Sequence, residues 1–130
     1  MSDTISVTGL IATTPRFITT SDGTPMLSFR MATAQRRYDK SAGKWVDAST
    51  NWYTVTGFRQ LATNCSTSLN KGDRIIVSGR LRIRDWESDE RTGTTVEIEA
   101  EVIGHDLFWS TAVATRISTP HPAEVEPELV

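Results

Sequence analysis

Apolar and polar side chains alternate along most of this chain, the period of two that marks half-buried strands. Ile5, Val7, Gly9 and Ile11 interleave with Ser6, Thr8 and Leu10, giving a first strand with a bend near Gly9. Ser21, Asp22, Gly23, Thr24 and Pro25 have turn chemistry, with Gly free to take positive φ. Residues 26–35 form a second strand with Leu27, Phe29 and Met31 on one side, residues 38–44 a polar hairpin tip, and residues 51–58 a third strand. The period then changes. Leu61, Cys65 and Leu69 recur every four residues, which predicts a short amphipathic helix with Gly72 just past its end. Residues 74–86 return to a long strand, 88–93 turn, and 94–103 run back. A further alternating stretch at 107–117 predicts an additional C-terminal strand.

Five or six strands with one helix after the third is the element order of an all-β OB-fold barrel, an order that other small barrels share. The 130 residues suit one domain, placed at 1–117. The hydrophobic fraction of 38% is slightly low and points to a polar segment outside the core. Residues 118–130, with Pro120, Pro122, Pro127 and three Glu, are expected to be a disordered acidic tail. No apolar run of about 18 residues spans a membrane, and no basic-then-apolar leader opens the chain, so the expectation is a cytoplasmic protein.

Charge changes the picture more than composition does. The net charge of −2 argues against a nucleic-acid partner, but twelve basic residues stand against five acidic ones between Arg16 and Trp86. Beyond Trp86 the balance reverses, with two basic against ten acidic. The central part is cationic, and distribution outweighs the sum. One cysteine and two histidines exclude a disulfide framework and offer no metal cluster; no cofactor is expected. Cys65, on the apolar face of the helix, is read as a packing residue, with an intersubunit disulfide as the alternative. Carboxylates without an acid–base partner leave no catalytic centre, and the chain is not expected to be an enzyme.

The strand period places the candidate chemistry. In residues 74–86, Ile75, Val77, Gly79, Leu81 and Ile83 face a core, and Arg80, Arg82, Arg84 and Trp86 share the other face. Trp52 and Phe58 share a face opposite Val55, while Tyr38 and Trp45 stand among Arg36, Arg37, Lys40 and Lys44. Unpaired nucleic acid needs flat platforms for bases and cations for phosphates. Plainer readings stay open. Glu97, Glu99 and Glu101 fall on the next strand, where cross-strand ion pairs with the arginines would hold the hairpin and serve no ligand. Trp52 and Phe58 fit a barrel core equally well, the Tyr38 region fits a solvated loop, and Phe108 and Trp109 fit a subunit or strand contact.

Four stretches bear a closer likeness: Ile5–Ser–Val–Thr–Gly–Leu–Ile, Leu27–Ser–Phe–Arg–Met–Ala–Thr–Ala, Trp52–Tyr–Thr–Val–Thr–Gly–Phe, and the run from Leu69 through Lys71–Gly72 to Trp86. Over roughly residues 4–105 the chain resembles the bacterial single-stranded DNA-binding protein family. The resemblance implies an OB fold, a homotetramer, DNA wrapped on the outside, and a nucleoid-associated role in replication, recombination or repair. It puts base stacking on Trp52, Phe58 and Trp86. Where the family has an aromatic in the second-strand loop, this chain has Arg37, with Tyr38 adjacent as a fourth stacking residue. Tyr53 stands where many members carry His. Phosphate contacts are expected from Arg30, Arg36, Arg37, Lys40, Lys71, Arg82 and Arg84. The stretch at 107–117 is similar to the strand with which actinobacterial members clasp a neighbouring subunit. The sequence ends at Glu126–Pro–Glu–Leu–Val without the family's Gly/Gln-rich linker and terminal Asp–Ile–Pro–Phe, which implies a paralogue with weakened or absent recruitment of repair enzymes. The alternative function is an OB-fold protein-interaction subunit, its aromatics and arginines forming an interface.

Overall fold

In a computed structural model, which describes residues 3–117, strands alternate with tight turns around one short helix. The elements are β1 (Asp3–Ile11), β2 (Arg16–Thr19), β3 (Pro25–Asp39), β4 (Lys44–Phe58), α1 (Arg59–Ser68), β5 (Arg74–Glu87) and β6 (Thr92–His105). The sheet runs β1-β5-β6-β4-β3-β2, and β1 also pairs with β3 through Leu10–Ala32 and Ile11–Met31. Five strands therefore close into a ring, with β2 added outside β3. This is the OB-fold arrangement, and α1 follows the third strand of the ring as the spacing predicts. Gly9 makes closure possible: a Cβ there would come within 2.7 Å of the Ala32 carbonyl oxygen. No side chain fits where β1 crosses to β3.

Alternation sets the core. Leu27, Phe29 and Met31 of β3, Val55 of β4, Ile75 and Val77 of β5 and Ile98 of β6 are all buried on the inner face. α1 closes one end against β3 and β4 through Ala62 and Cys65, with Leu69 following. Spacings of three and four align these residues on one helix face, with Leu61 packed at its margin. Cys65 is only 6% exposed, and burial pushes its thiol pKa up to about 11. A packing role accounts for it, because a disulfide to another chain would require the helix to lift away.

Three features differ from the sequence reading. β2 was not anticipated: Phe17 and Ile18 are both exposed, so the strand carries no alternation and exists because a turn with Gly23 at φ 87° folds it onto β3. β3 and β4 continue to Asp39 and from Lys44, well beyond the predicted 26–35 and 51–58, so the polar tip shrinks to a turn at residues 40–43. The additional strand at 107–117 is not formed in the single chain. Its apolar residues Leu107, Phe108, Trp109 and Val113 are exposed, and a strand cannot persist without a neighbour to take its backbone hydrogen bonds. The predicted tail at 118–130 lies outside the described residues.

Candidate nucleic-acid interface

Closing the sheet leaves one outward face across β3, β4, β6 and β5, and strand register fixes what stands on it. One row carries Arg30, Thr54, Glu97 and Arg82. The next carries Ser28, Thr56, Glu99 and Arg80, reaching Thr4 of β1. Trp52 pairs with Ala32 on one side of these rows, and Phe58 pairs with Met26 on the other. Along the β5–β6 hairpin, Arg84 pairs with Thr95, and Trp86 with Gly93. The aromatics thus bracket a polar, cationic band.

None of the three principal aromatics is in the core. Trp52 is 48% exposed, Trp86 44%, and Phe58 half-buried at the start of α1. The core reading of Trp52 and Phe58 is overturned, because Val55 and Gly57 take the inward, buried positions at this end of β4 and alternation turns Trp52 and Phe58 outward. The Arg30 guanidinium lies 5.2 Å from the centre of the Trp52 ring, a cation–π contact that fixes the indole's tilt. Trp86 packs closely over Gly93, where a Cβ would come within 2.4 Å of the indole. That glycine lets the indole rest on backbone while the ring stays accessible in an open cleft of about 370 Å³ lined by Asp85, Glu87, Thr92 and Thr94.

The β3–β4 hairpin adds a second aromatic group. A register shift between Gln35 and Arg36 leaves Ala48 as an extra residue on β4. Beyond it Tyr38 pairs with Trp45, edge to face at 5.6 Å between ring centres. Alternation along β3 puts Tyr38 on the face of Arg30 and Ala32, and Arg37 on the opposite one. Tyr38, rather than Arg37, therefore continues the Trp52 surface. Trp45, at 59% exposed, belongs with it although the sequence reading left it out of the stacking set.

The cations divide. Arg30, Arg82 and Arg84 stand on the outer face with Trp52, and Arg80 joins them. Arg36 shares the Tyr38 face and pairs with Asp47 at 3.5 Å. Lys40 is exposed in the turn between β3 and β4. Lys71 is apart, in the turn before β5, separated from Trp86 by about 40 Å of extended chain. The cross-strand ion pairs weighed as an alternative are present: Arg80 and Arg82 both reach Glu99, at 3.4 and 3.3 Å, and Arg84 reaches Glu97 at 3.5 Å. The arginines are 45–62% exposed, and exposed pairs contribute on the order of 0.2–1 kcal/mol each. They organise the hairpin without locking the guanidinium groups.

Nothing on this face resembles a reaction centre. Among the described residues no group of His, Cys, Asp or Glu is arranged to hold a metal. His105 bonds to Asp73 at 3.2 Å, away from the aromatic band, and Asp73 also accepts from the Asn70 N–H. No helix among the described residues is long and apolar enough to cross a membrane.

Comparison with known proteins places this geometry. Residues 2–106 match the family described as the single-strand binding protein family. The chain is 49% identical over 112 residues to single-stranded DNA-binding protein 2 of Tropheryma whipplei (strain Twist), covering 86% of this chain and 74% of that one. It is 42% identical over 112 residues to single-stranded DNA-binding protein 1 of Streptomyces coelicolor, covering 86% and 71%. The crystal structure of the small single-stranded DNA-binding protein from Streptomyces coelicolor superposes with a TM-score of 0.74 at 42% identity, over 82% of this chain and 95% of that one. The second such protein of Mycobacterium smegmatis gives 0.67 at 27% identity, over 89% and 100%.

Proposed function

Because the chain belongs to the single-strand binding protein family, of an actinobacterial type, we propose that it binds single-stranded DNA with little regard to sequence and performs no catalysis. The observation that carries this reading is the outer face itself, where two half-exposed indoles and Phe58 bracket a band of arginines. Bases stack on Trp52, Phe58 and Trp86, with Tyr38 and its partner Trp45 extending the path along the β3–β4 hairpin. Each stack contributes about 1–3 kcal/mol and accepts any base. Arg30, Arg82 and Arg84 meet phosphates along the band, and Arg36 and Lys40 meet them near the hairpin tip. Arg37 and Lys71 serve only if the strand wraps beyond this face. The binding domain spans residues 1–117, and its service is to protect unpaired strands in replication, recombination or repair.

We further propose that copies of the chain assemble, as a homotetramer. Support comes from apolar surface that the single chain leaves uncovered: Leu107, Phe108, Trp109 and Val113 on the C-terminal arm, and Ile76 and Val102 on β5 and β6.

A titration with poly-dT followed by tryptophan fluorescence tests the binding. Strong saturable quenching that weakens as salt rises is expected, since neutralising phosphates releases condensed cations. Unchanged fluorescence at low salt would show that the aromatics serve an interface and would favour the protein-interaction reading.

A further inference from the structure

The carboxylates in the middle of the DNA-binding face have no place in a surface that only attracts phosphate. Glu97 and Glu99 lie on β6, between the β4 row of Trp52, Thr54 and Thr56 and the β5 row of Arg80, Arg82 and Arg84. They are the more buried partners of their ion pairs: their side chains are 25% and 29% exposed, against 45–62% for the arginines. Glu99 holds two guanidinium groups and Glu97 holds one.

Resting on the DNA-binding reading above, we propose that Glu97 and Glu99 are affinity-setting residues, internal counter-ions for which DNA phosphate must compete. An exposed arginine can swing from carboxylate to phosphate, but the half-buried carboxylate stays behind within reach. The group of phosphate, guanidinium and carboxylate then keeps one negative charge, so the phosphate is not fully neutralised and its condensed cation is not fully released. Binding is weaker and less salt-dependent than the number of arginines on the face would give. The same pairs hold the guanidinium groups aligned along the hairpin, so the free face is neither strongly cationic nor disordered. Such a surface releases DNA readily, which suits a protein that must yield the strand.

The test compares Glu99→Gln, Glu97→Gln and Glu101→Gln with the unmodified protein, titrating oligo-dT at several NaCl concentrations. Glutamine keeps the shape and removes the charge. Glu101 is an exposed acidic residue on the same strand, at the register shift beside Ala100, and controls for net charge. At about 0.1 M NaCl, Glu99→Gln is expected to tighten binding about tenfold and Glu97→Gln about threefold, with the salt slope steeper by about 0.7 for each arginine released. Glu101→Gln is expected to change affinity less than twofold. Equal tightening by Glu101→Gln would reduce the effect to net charge and overturn the proposal. Unchanged or weaker binding by a folded Glu99→Gln would do the same. If Glu99→Gln melts far below the parent, Glu97→Gln, which frees a single arginine, decides alone. Oligo-dT binding by the parent without tightening in the variants defeats only this inference, whereas no binding by the parent defeats the functional reading with it.

Discussion

At the residue scale, the proposed binding face depends on rings kept out of the core without being left loose. Arg30 steadies Trp52 from one side, and the backbone at Gly93 supports Trp86 from beneath. Replacing Trp52 or Trp86 with Ala removes one platform each and should weaken oligo-dT binding about tenfold, the equivalent of one lost stack of 1–3 kcal/mol. The melting temperature should change by no more than a few degrees, because neither ring fills the interior. Equal affinity for both variants in fluorescence or anisotropy titrations would remove stacking from the mechanism. Gly93→Val tests the support separately. A side chain there collides with the indole, so Trp86 must tilt away, and oligo-dT affinity should fall nearly as far as in Trp86→Ala. Retained affinity would mean that the close packing of Trp86 on Gly93 is not needed for binding.

At the scale of elements, α1 and the two long hairpins divide the labour. The helix stabilises; the hairpins present. Cys65 gives the helix a pH signature. Its thiol stays neutral up to about 11 in the folded chain, against an ordinary value of 9.0, so the unfolded chain gives up its proton first as pH rises. The stabilisation is fully present below pH 9 and is lost as pH climbs through 11. Denaturant titrations at pH 8 and at about pH 10.5 should therefore show a larger drop for the parent than for Cys65→Ala. An identical drop would mean that the sulfur is open to solvent. The hairpins were only partly legible from sequence. Alternation identified β5 and β6 well, but β4 was cut short because residues 44–50 lack an apolar face. Those residues are paired with β3 on a ribbon that projects from the barrel, where both faces meet solvent and hydrophobicity gives no signal.

At the scale of the whole molecule, the exposed arm at 107–117 argues for a partner copy more strongly than anything else in the structure. Phe108 and Trp109 touch each other at 4.7 Å between ring centres, yet are 76% and 73% exposed. Surface of this kind is rare on a chain that remains alone. Removing residues 107–130 should lower the thermal stability of the proposed assembly or its mass by light scattering, while each OB domain keeps its circular dichroism spectrum. A truncated protein with unchanged mass and melting point would assign assembly to the β5–β6 surface around Ile76 and Val102 instead.

The order of the five ring strands, the place of the helix and most of the core were already determined by the sequence, because a period of two or four is a local property written residue by residue. So was the resemblance in the 69–86 stretch. Ile83, read as facing the core, is instead 65% exposed, because there the β5–β6 hairpin has run past the barrel interior. Three matters were decided only by tertiary structure. Ring closure through Gly9 turned Trp52 and Phe58 outward, since a residue's face is known from its neighbours but inside and outside are not. The register between β5 and β6 decided which of the candidate cross-strand ion pairs form: Glu97 and Glu99 meet the arginines, while the register shift beside Gly79 leaves Glu101 without a partner position on β5. The arm at 107–117 has the alternation of a strand, but alternation says nothing of which edge would take its backbone hydrogen bonds, and among the described residues it pairs with no strand of its own chain.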